Sequence, residues 1–417
     1  FGSSTDSTSG PLICLSSLLL RTRMAAGVAG PGRDDGGQKD KASASSPSRP
    51  PRACAEATCC AAVAPGDLLT GLSLEEALRI FERDCGPGIA AARGFQLHAA
   101  CEPNAELAEY LGAVLASRKD WRCVMNKRIG MSYKVKNPAL VWLDDKVAQV
   151  SRTTEIFQGR ELHLPIYGHA PAGEGVTEVA AQDALRDVVR QRLGLREPFV
   201  VKPRHGSNSK HIFVFPQPKD SDEEAAVASV EKAIDSDDRS WRKESWNQNA
   251  VPKGALLQPM YTLMTSFGLD ASEMGRHRLH RPLELKVQVI FGEVCGACLN
   301  THPAFLIVTR EGAVHLFDQE APGFLKRHHG TSEPLPDAAL AVLRASLRLH
   351  WRTIRADSEH LARSVGLDEL RVDWLLGDER WGPRIGELTY MGTFSLDVLP
   401  LSVRLARAFS AAHLSRS

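Results

Sequence analysis

No apolar run in this chain is long enough to cross a bilayer. The one transmembrane-like run, Pro11 to Leu20, falls well short of the roughly 20 residues a spanning helix needs. A basic excess is missing too: 51 Lys and Arg stand against 50 Asp and Glu, a formal net charge of +1. That balance speaks against nucleic acid or an anionic membrane as the main partner, because both select a clear positive surplus. Paired C-x-x-C motifs at zinc-ribbon spacing are absent. Cys295 and Cys298 form a single pair with no Cys or His at finger spacing, which reads as reduced, buried thiols and a reducing compartment. Neither a Walker P-loop nor a Rossmann fingerprint occurs, and the scattered His residues follow no spacing that would build a nucleophilic triad. No internal repeat is visible.

What is there suits a soluble globular protein of two or three compact units: 417 residues, 24% charged and 43% hydrophobic. Residues 1–65 are low in complexity and include SASSPSRPPR, too polar to offset the entropy of ordering, so a disordered leader is expected. Pro11–Leu20 resembles a signal h-region, but the first Met is Met24, and Asp34 with Asp35 weakens a transit-peptide reading. A cytoplasmic location is the expectation, with organelle targeting left open. From Leu68 the chain alternates helical and strand patterns. Ser73 and Glu76 form a capping box before Leu74, Ala77, Leu78 and Phe81, and a second helix is expected over Asn104–Ser117. WRCVMNKR suggests a strand, Asp145-Lys146 opens a helix, and Leu164–Gly175 is a candidate linker. A helix over Ala180–Leu193 then leads to a strand at Phe199–Val201, a polar loop at Pro203–Lys210 and a strand at His211–Phe215. Ala225, Val227, Val230 and Ala233 give a helical stripe, and GALLQPMY a short buried strand. RPLELKVQVIFGEVCGACLNTH reads as an antiparallel pair turning at Gly292-Glu293, followed by a long helix from Asp337. This order argues for a mixed α/β (α+β) enzyme.

Two stretches carry candidate chemistry. In RVDWLLGDERWGPRIGELTYMGTFSLD (371–397), Val372, Trp374 and Leu375 read as a strand with Asp373 on its polar face, and Ile385–Tyr390 as a returning strand bearing Glu387. If the strands pair, the two carboxylates meet on one face and call for a positive partner, for which Mg²⁺ on nucleotide phosphates is the usual solution. An ordinary hairpin with two solvated acids is the alternative. In FVVKPRHGSNS, Lys202 ends an apolar strand before a loop of Gly and Ser that can lay N–H groups on a phosphate. A plain turn with a solvated lysine is the alternative there. FLKRHHG (324–330) is a basic cluster able to hold an anion or simply a solvated loop, and His205 is a lesser contact candidate.

Strand-Lys202-Pro-x-x-Gly-Ser, a hydrophobic hinge strand, ELKVQVIFGE and RVDW…GELT in this order resemble the ATP-grasp superfamily over about Trp142 to Pro400. The branch that looks most similar is the teichuronopeptide-biosynthesis (TupA-like) group. The resemblance implies ATP and Mg²⁺ as cofactors and an ATP-grasp fold of two α+β subdomains, 166–262 with the phosphate loop and 263–417 with the metal site. A small N-terminal α/β domain, 66–165, precedes them. By the same resemblance Lys146 and Lys202 bind phosphates, and Gly206, Ser207 and Ser209 form the loop over them. Leu257, Gln258, Pro259 and Met260 make the adenine-reading hinge and Glu284 lies near the ribose. The resemblance further implies that Lys286 and Arg371 are the catalytic cations and that Asp373 and Glu387 hold the metal. Gln258 stands where many relatives carry Glu, and Thr389 where many carry Asn; the TupA-like branch shares the Thr. The implied activity is carboxylate–amine ligation through an acyl phosphate, on small-molecule, glycan or peptide substrates. A kinase acting on a sugar or glycan hydroxyl and a non-catalytic nucleotide-binding module are the alternatives.

Overall fold

The computed structural model describes residues 71–72, 74–86, 89, 94–135, 137–170, 177–205, 211–236, 250–262, 283–299, 305–308, 314–317, 337–392 and 399–416. Ser73, the loop residues Gly206, Ser207 and Ser209, and the basic cluster 324–330 lie outside the described residues. The strands are β1 (Gly71–Leu72), β2 (Gly168–Ala170), β3 (Phe199–Pro203), β4 (Phe213–Phe215), β5 (Ala255–Pro259) and β6 (Leu283–Ile290). They continue with β7 (Glu293–Leu299), β8 (Phe305–Val308), β9 (Val314–Phe317), β10 (Glu369–Leu376) and β11 (Arg384–Thr389). The main helices are α1 (Leu74–Ile80), α2 (Ala105–Leu115), α3 (Trp121–Val135), α4 (Lys146–Ile156), α5 (Glu178–Gly194), α6 (Glu223–Ile234), α7 (Asp337–Val365) and α8 (Leu399–Leu414). The architecture is mixed α/β, with a large sheet ordered β1-β9-β8-β7-β6-β10-β11 and a small sheet ordered β2-β5-β3-β4. Among the described residues the strands pair antiparallel except β1 with β9, and a single parallel bridge joins His163 to Ile385.

Alternation explains the small sheet. Phe199 and Val201 on β3, with Ala255 and Leu257 on β5, face a core closed by Ala181, Leu185, Val189 and Leu193 of α5 and by Ala226, Val230 and Ala233 of α6. The buried stripe of α6 is therefore Ala226, Ser229, Val230, Ala233 and Ile234. Ala225, expected in it, is exposed, because the helix phase is set by packing on α5 and β3. Lys202 stands on the opposite sheet face, opposite Leu256 in register.

The large sheet is two-faced in the same way. Leu285, Val287 and Val289 of β6 and Leu370, Val372, Trp374 and Leu376 of β10 join one apolar core with Leu347, Trp351, Ile354 and Leu361 of α7. Each large apolar side chain so buried is worth about 1.5–3 kcal/mol relative to exposure. Trp374 also donates Nε1–H to Ser358 Oγ at 3.0 Å, so the indole is buried without losing its hydrogen bond. The same core takes in Leu107 and Leu111 of α2, Trp121, Val124 and Met125 of α3, and Leu405 and Phe409 of α8. WRCVMNKR, read as a strand, is helical. Trp121, Val124, Met125 and Arg128 lie on one buried face of α3, and Arg128 is hidden because Asp368 receives its guanidinium at 2.6 and 2.7 Å.

Helix α7 stops at Gly366. Its φ of +73° lets Leu367 N–H reach Ala362 O (3.2 Å) and Gly366 N–H reach Arg363 O (3.2 Å), a Schellman closure. The β6–β7 turn uses Phe291 and Gly292, both at positive φ, as a two-residue hairpin of this hand requires. Strand β11 lies at the edge of the sheet, and its main chain is completed from outside. Ile385 N–H donates to Leu162 O at 2.7 Å, and Gln149 of α4 clasps Leu388, accepting its N–H at 3.0 Å and donating to its carbonyl at 2.9 Å.

Candidate functional site

The polar face of the large sheet carries Glu284, Lys286 and Gln288 on β6, Glu369, Arg371 and Asp373 on β10, and Glu387 and Thr389 on β11. Asp373 and Glu387 are register partners, so the two carboxylates of the final hairpin do share one face. Asp373 is fully buried. Its Oδ2 lies 2.8 Å from Lys286 Nζ, and Arg371 donates Nε–H to Oδ1 at 2.7 Å and Nη2–H to Oδ2 at 3.0 Å. Burial would push this carboxyl up, but Arg371 and Lys286 together hold it well below the usual carboxylate range. Burial and Arg371 work against the Lys286 charge, yet Asp373 and Glu284 (3.1 Å from Lys286 Nζ) prevail and raise its pKa. Arg371 also donates to Thr389 Oγ1 at 3.0 Å, so the threonine of GELT orients the arginine.

Lysines arrive from two other elements. The Gln149 clasp on Leu388 sets α4 against β11, and one turn earlier Lys146 Nζ comes 3.5 Å from Glu387 Oε1. Asp145 caps that helix, its Oδ1 accepting from Val147 N–H at 3.0 Å and Ala148 N–H at 3.3 Å, which confirms the helix start read from the Asp-Lys pair. Lys202 on β3 lies within electrostatic reach of Lys146, Glu387 and Glu284. Burial, and then repulsion from Lys146, lower its pKa to about 8 despite the two carboxylates. Among the described residues around the Asp373–Glu387 pair, the cations Lys146, Lys202, Lys286 and Arg371 outnumber the ionised carboxylates Glu284, Asp373 and Glu387 by one, because burial keeps the Glu369 carboxyl behind Arg371 largely protonated below about pH 7. A cationic surplus among partly buried side chains is suited to an anion carrying several charges.

The expected hinge lies on the strand next to Lys202: Gln258 and Leu256 of β5 pair in register with Val200 and Lys202 of β3 and share their sheet face. Leu257–Met260 runs along and just past β5 inside the small sheet, where Leu257 O accepts Tyr167 N–H (2.8 Å) and Met260 N–H donates to Pro198 O (3.1 Å). Gln258 donates Nε2–H to Leu164 O at 3.0 Å, which ties β5 to the segment before β2. Where β5 ends, Tyr261 Oη contacts Leu375 O (3.0 Å) and Gly382 O (2.9 Å), and Thr262 N–H donates to Asp378 Oδ2 (2.8 Å). The exit of the small sheet is thus fastened to the turn of the β10–β11 hairpin. His205 is structural: its ring nitrogens meet Ser236 O (3.0 Å) and Gly254 N–H (3.3 Å).

Gln149, Arg204 and Glu369 were not singled out from the sequence. Glu369 sits behind Arg371 on the same face, accepting from Gln288 Nε2–H and Met391 N–H, both at 2.6 Å. Burial pushes its pKa up to about 7. A cavity of about 470 Å³ lies between Val147, Val150 and Thr154 of α4 and the segment Glu161–His169. Its wall includes His163, whose pKa burial and Lys202 push down to about 3, so the imidazole stays neutral.

Mg²⁺ is generally held by one or two carboxylates together with substrate phosphates, so the Asp373–Glu387 pair suffices in kind. Each carboxylate oxygen accepts more than one partner, and the Arg371 and Lys286 contacts leave acceptor capacity on Asp373. Among the described residues no group of three or more His, Cys, Asp or Glu is arranged to hold a metal by itself. No helix among them is long and apolar enough to cross a membrane.

No known family profile matches the chain, and no curated protein does. Among solved structures it is similar to D-cycloserine synthetase DcsG, at 19% identity and TM-score 0.34, covering 66% of this chain and 70% of that one. D-alanyl-alanine synthetase A from Vibrio cholerae matches at 11% identity and TM-score 0.35, covering 66% and 64%. The ATP-grasp ligase PsnB, complexed with a phosphomimetic variant of its minimal precursor, Mg and ADP, matches at 12% identity and TM-score 0.32, covering 67% and 61%. The chain thus spans less than two thirds of the last two. At such identities and TM-scores the likeness assigns neither activity nor substrate.

Proposed function

We propose that the chain is an ATP-grasp ligase of the TupA-like kind, built from ATP-grasp subdomains at 166–262 and 263–417, that uses ATP to join a carboxylate to an amine. The observation that carries this reading is the cationic surplus around the register-paired Asp373 and Glu387, with Lys202 supplied from a second sheet. The ordered motifs from Lys202 to GELT support it independently. In this reading Lys146 and Lys202 neutralise the nucleotide phosphates, while Asp373 and Glu387 hold Mg²⁺, which when bound offsets the remaining phosphate charge. Arg371 and Lys286, fixed by their shared bonds to Asp373, stand beside the phosphoryl group in transfer. The γ-phosphoryl passes to the substrate carboxylate and ADP leaves; the amine then displaces phosphate from the acyl phosphate and forms the amide. Positioning and charge neutralisation supply most of the rate in such transfers, so the absence of a protein nucleophile from the scheme costs nothing.

Calorimetric titration of MgATP into wild type, Lys202→Ala and Asp373→Asn tests the reading. Binding by wild type that is lost or strongly weakened in both variants supports it, and no binding by folded wild type overturns it. Release of ADP only when carboxylate and amine are both present then identifies the ligase. Release with a single hydroxyl acceptor makes the protein a kinase, and binding without turnover a nucleotide-binding module.

A further inference from the structure

Lys146 and Lys202 lie on different elements, yet a main-chain bond from Lys146 N–H to Arg204 O at 3.2 Å brings the two segments together, and the two charges lie within electrostatic reach of one another. Within two positions of each lysine stands a residue of a buried ion pair. Asp145 precedes Lys146 as the cap of α4, and Arg204 follows Lys202 by two positions at the end of β3. Arg204 grips Asp145 with two parallel bonds, Nε–H to Oδ1 at 2.7 Å and an Nη2–H to Oδ2 at 2.6 Å, with side chains only 15% and 8% exposed. This fork-on-carboxylate geometry fixes orientation as well as distance. The main-chain bond is a third tie.

Both ends of this connection are anchored. Arg204 N–H donates to Gly254 O at 2.8 Å, and the neighbouring His205 ring is held between Ser236 O and Gly254 N–H, so the end of β3 cannot swing freely. On the other side, Asp145 is committed to the first-turn amides of α4, and Gln149 locks that helix onto β11. A displacement at either end is therefore transmitted to the separation of the two ammonium groups.

We propose that Arg204 and Asp145 are a positioning pair that holds Lys146 and Lys202 together, against their repulsion, as a single polyphosphate-binding unit. The proposal rests on the reading of both lysines as phosphate ligands. It assigns Arg204 no contact with the phosphates. The pair works by placing the first turn of α4 and the end of β3 in fixed register, so that one multiply charged chain meets both lysines at once. Loss of Arg204 alone also strands the Asp145 charge in a buried place, which endangers folding. The double variant Asp145→Ser/Arg204→Met avoids this, because serine still caps the helix and no lone charge remains.

The test measures affinities of wild type, Arg204→Lys and Asp145→Ser/Arg204→Met for inorganic tripolyphosphate, MgATP and adenosine, with amide hydrogen exchange at Lys146, Val147 and Ala148. The double variant is expected to bind tripolyphosphate and MgATP about tenfold more weakly or worse, with adenosine unchanged, since small misplacements of charged groups cost that much. Arg204→Lys should recover part of the loss. Lys146→Ala and Lys202→Ala should be coupled in the wild-type background and additive in the double-variant background, a change that general destabilisation does not produce. Equal tripolyphosphate affinity in wild type and double variant, or coupling that survives in the double variant, overturns the proposal while leaving nucleotide binding intact. Tripolyphosphate binding with the expected losses but no MgATP binding overturns the ligase reading and upholds the pair. Wild type that binds neither overturns both.

Discussion

Lys286 and Asp373 face each other across β6 and β10 with Nζ and Oδ2 2.8 Å apart, and Arg371 closes the same carboxylate from its own strand. Burial acts to raise the Asp373 pKa, and the two cations more than reverse it. The folded value lies below the unfolded one, so this carboxylate contributes stability that is complete above about pH 4 and lost as pH falls further. Lys286→Met removes one partner while Arg371 remains. It should cost about 3 kcal/mol at neutral pH, the lower end for breaking a buried pair, and move the acid transition to higher pH. Urea unfolding between about pH 3 and pH 7 checks both; an unmoved midpoint at neutral pH excludes the assignment.

Glu369 has the opposite sign. Burial raises its pKa from 4.5 to about 7. Between those values the unfolded chain releases its proton while the folded chain keeps it, so this group erodes stability as pH rises through the window. The loss is on the order of 3 kcal/mol once pH exceeds about 7. Glu369→Gln should flatten the pH dependence of unfolding between about pH 5 and pH 8 and make the protein more stable at the alkaline end. The amide retains an acceptor for Met391 N–H, and a flipped Gln288 offers Oε1 to its new donor. Chemical unfolding of both proteins across that range decides the matter, and parallel curves would contradict it.

The Gln149 clasp predicts a large effect from one neutral amide. Gln149→Leu fills nearly the same volume but leaves Leu388 N–H, Leu388 O and Leu143 O without their partner. A cost of about 2–5 kcal/mol is expected, at 1–3 kcal/mol for each buried group left unsatisfied and with partial relaxation. Gln149→Glu can still accept from Leu388 N–H, but its ionised form sets a buried charge against two carbonyl oxygens and should cost at least as much as the leucine. Thermal unfolding and amide exchange at Leu388 report the effect; a leucine variant as stable as wild type would show that the clasp is idle.

Gly366→Ala should destabilise by about 1–3 kcal/mol, because it combines positive φ with a close approach. An added Cβ would meet Gln96 O at 2.8 Å and His98 N at 3.0 Å, both main-chain atoms that cannot rotate away. Calorimetry on the variant is the check. Gly94, around which nothing stands within 4 Å of an added Cβ, is the control.

The hairpin of Asp373 and Glu387 was legible in the sequence because alternation is a local property: hydrophobic neighbours on both sides declare which face a carboxylate occupies. The start of α4 at Asp145-Lys146 was legible for the same reason, since capping is decided within one turn. WRCVMNKR misled because Arg128 looks like a solvent-facing residue. Its burial depends on Asp368, 240 positions away, which no local pattern contains. Gln149 and Thr153 escaped notice similarly: they fill the buried side of α4 where an apolar stripe would have announced it. The pairing of Arg204 with Asp145 joins the mouth of a loop to the cap of a helix, and only the packed chain brings them together.

The outermost strand of a sheet ordinarily offers its unspent amides to any extended peptide that passes, and fibrils grow by accepting that offer. On β11 the offer is withdrawn at two points, Ile385 and Leu388, by the chain's own Leu162 and Gln149. The residue that sets Lys146 beside Glu387 thus also guards this border of the sheet. A substitution there should add turbidity on storage to the loss of stability.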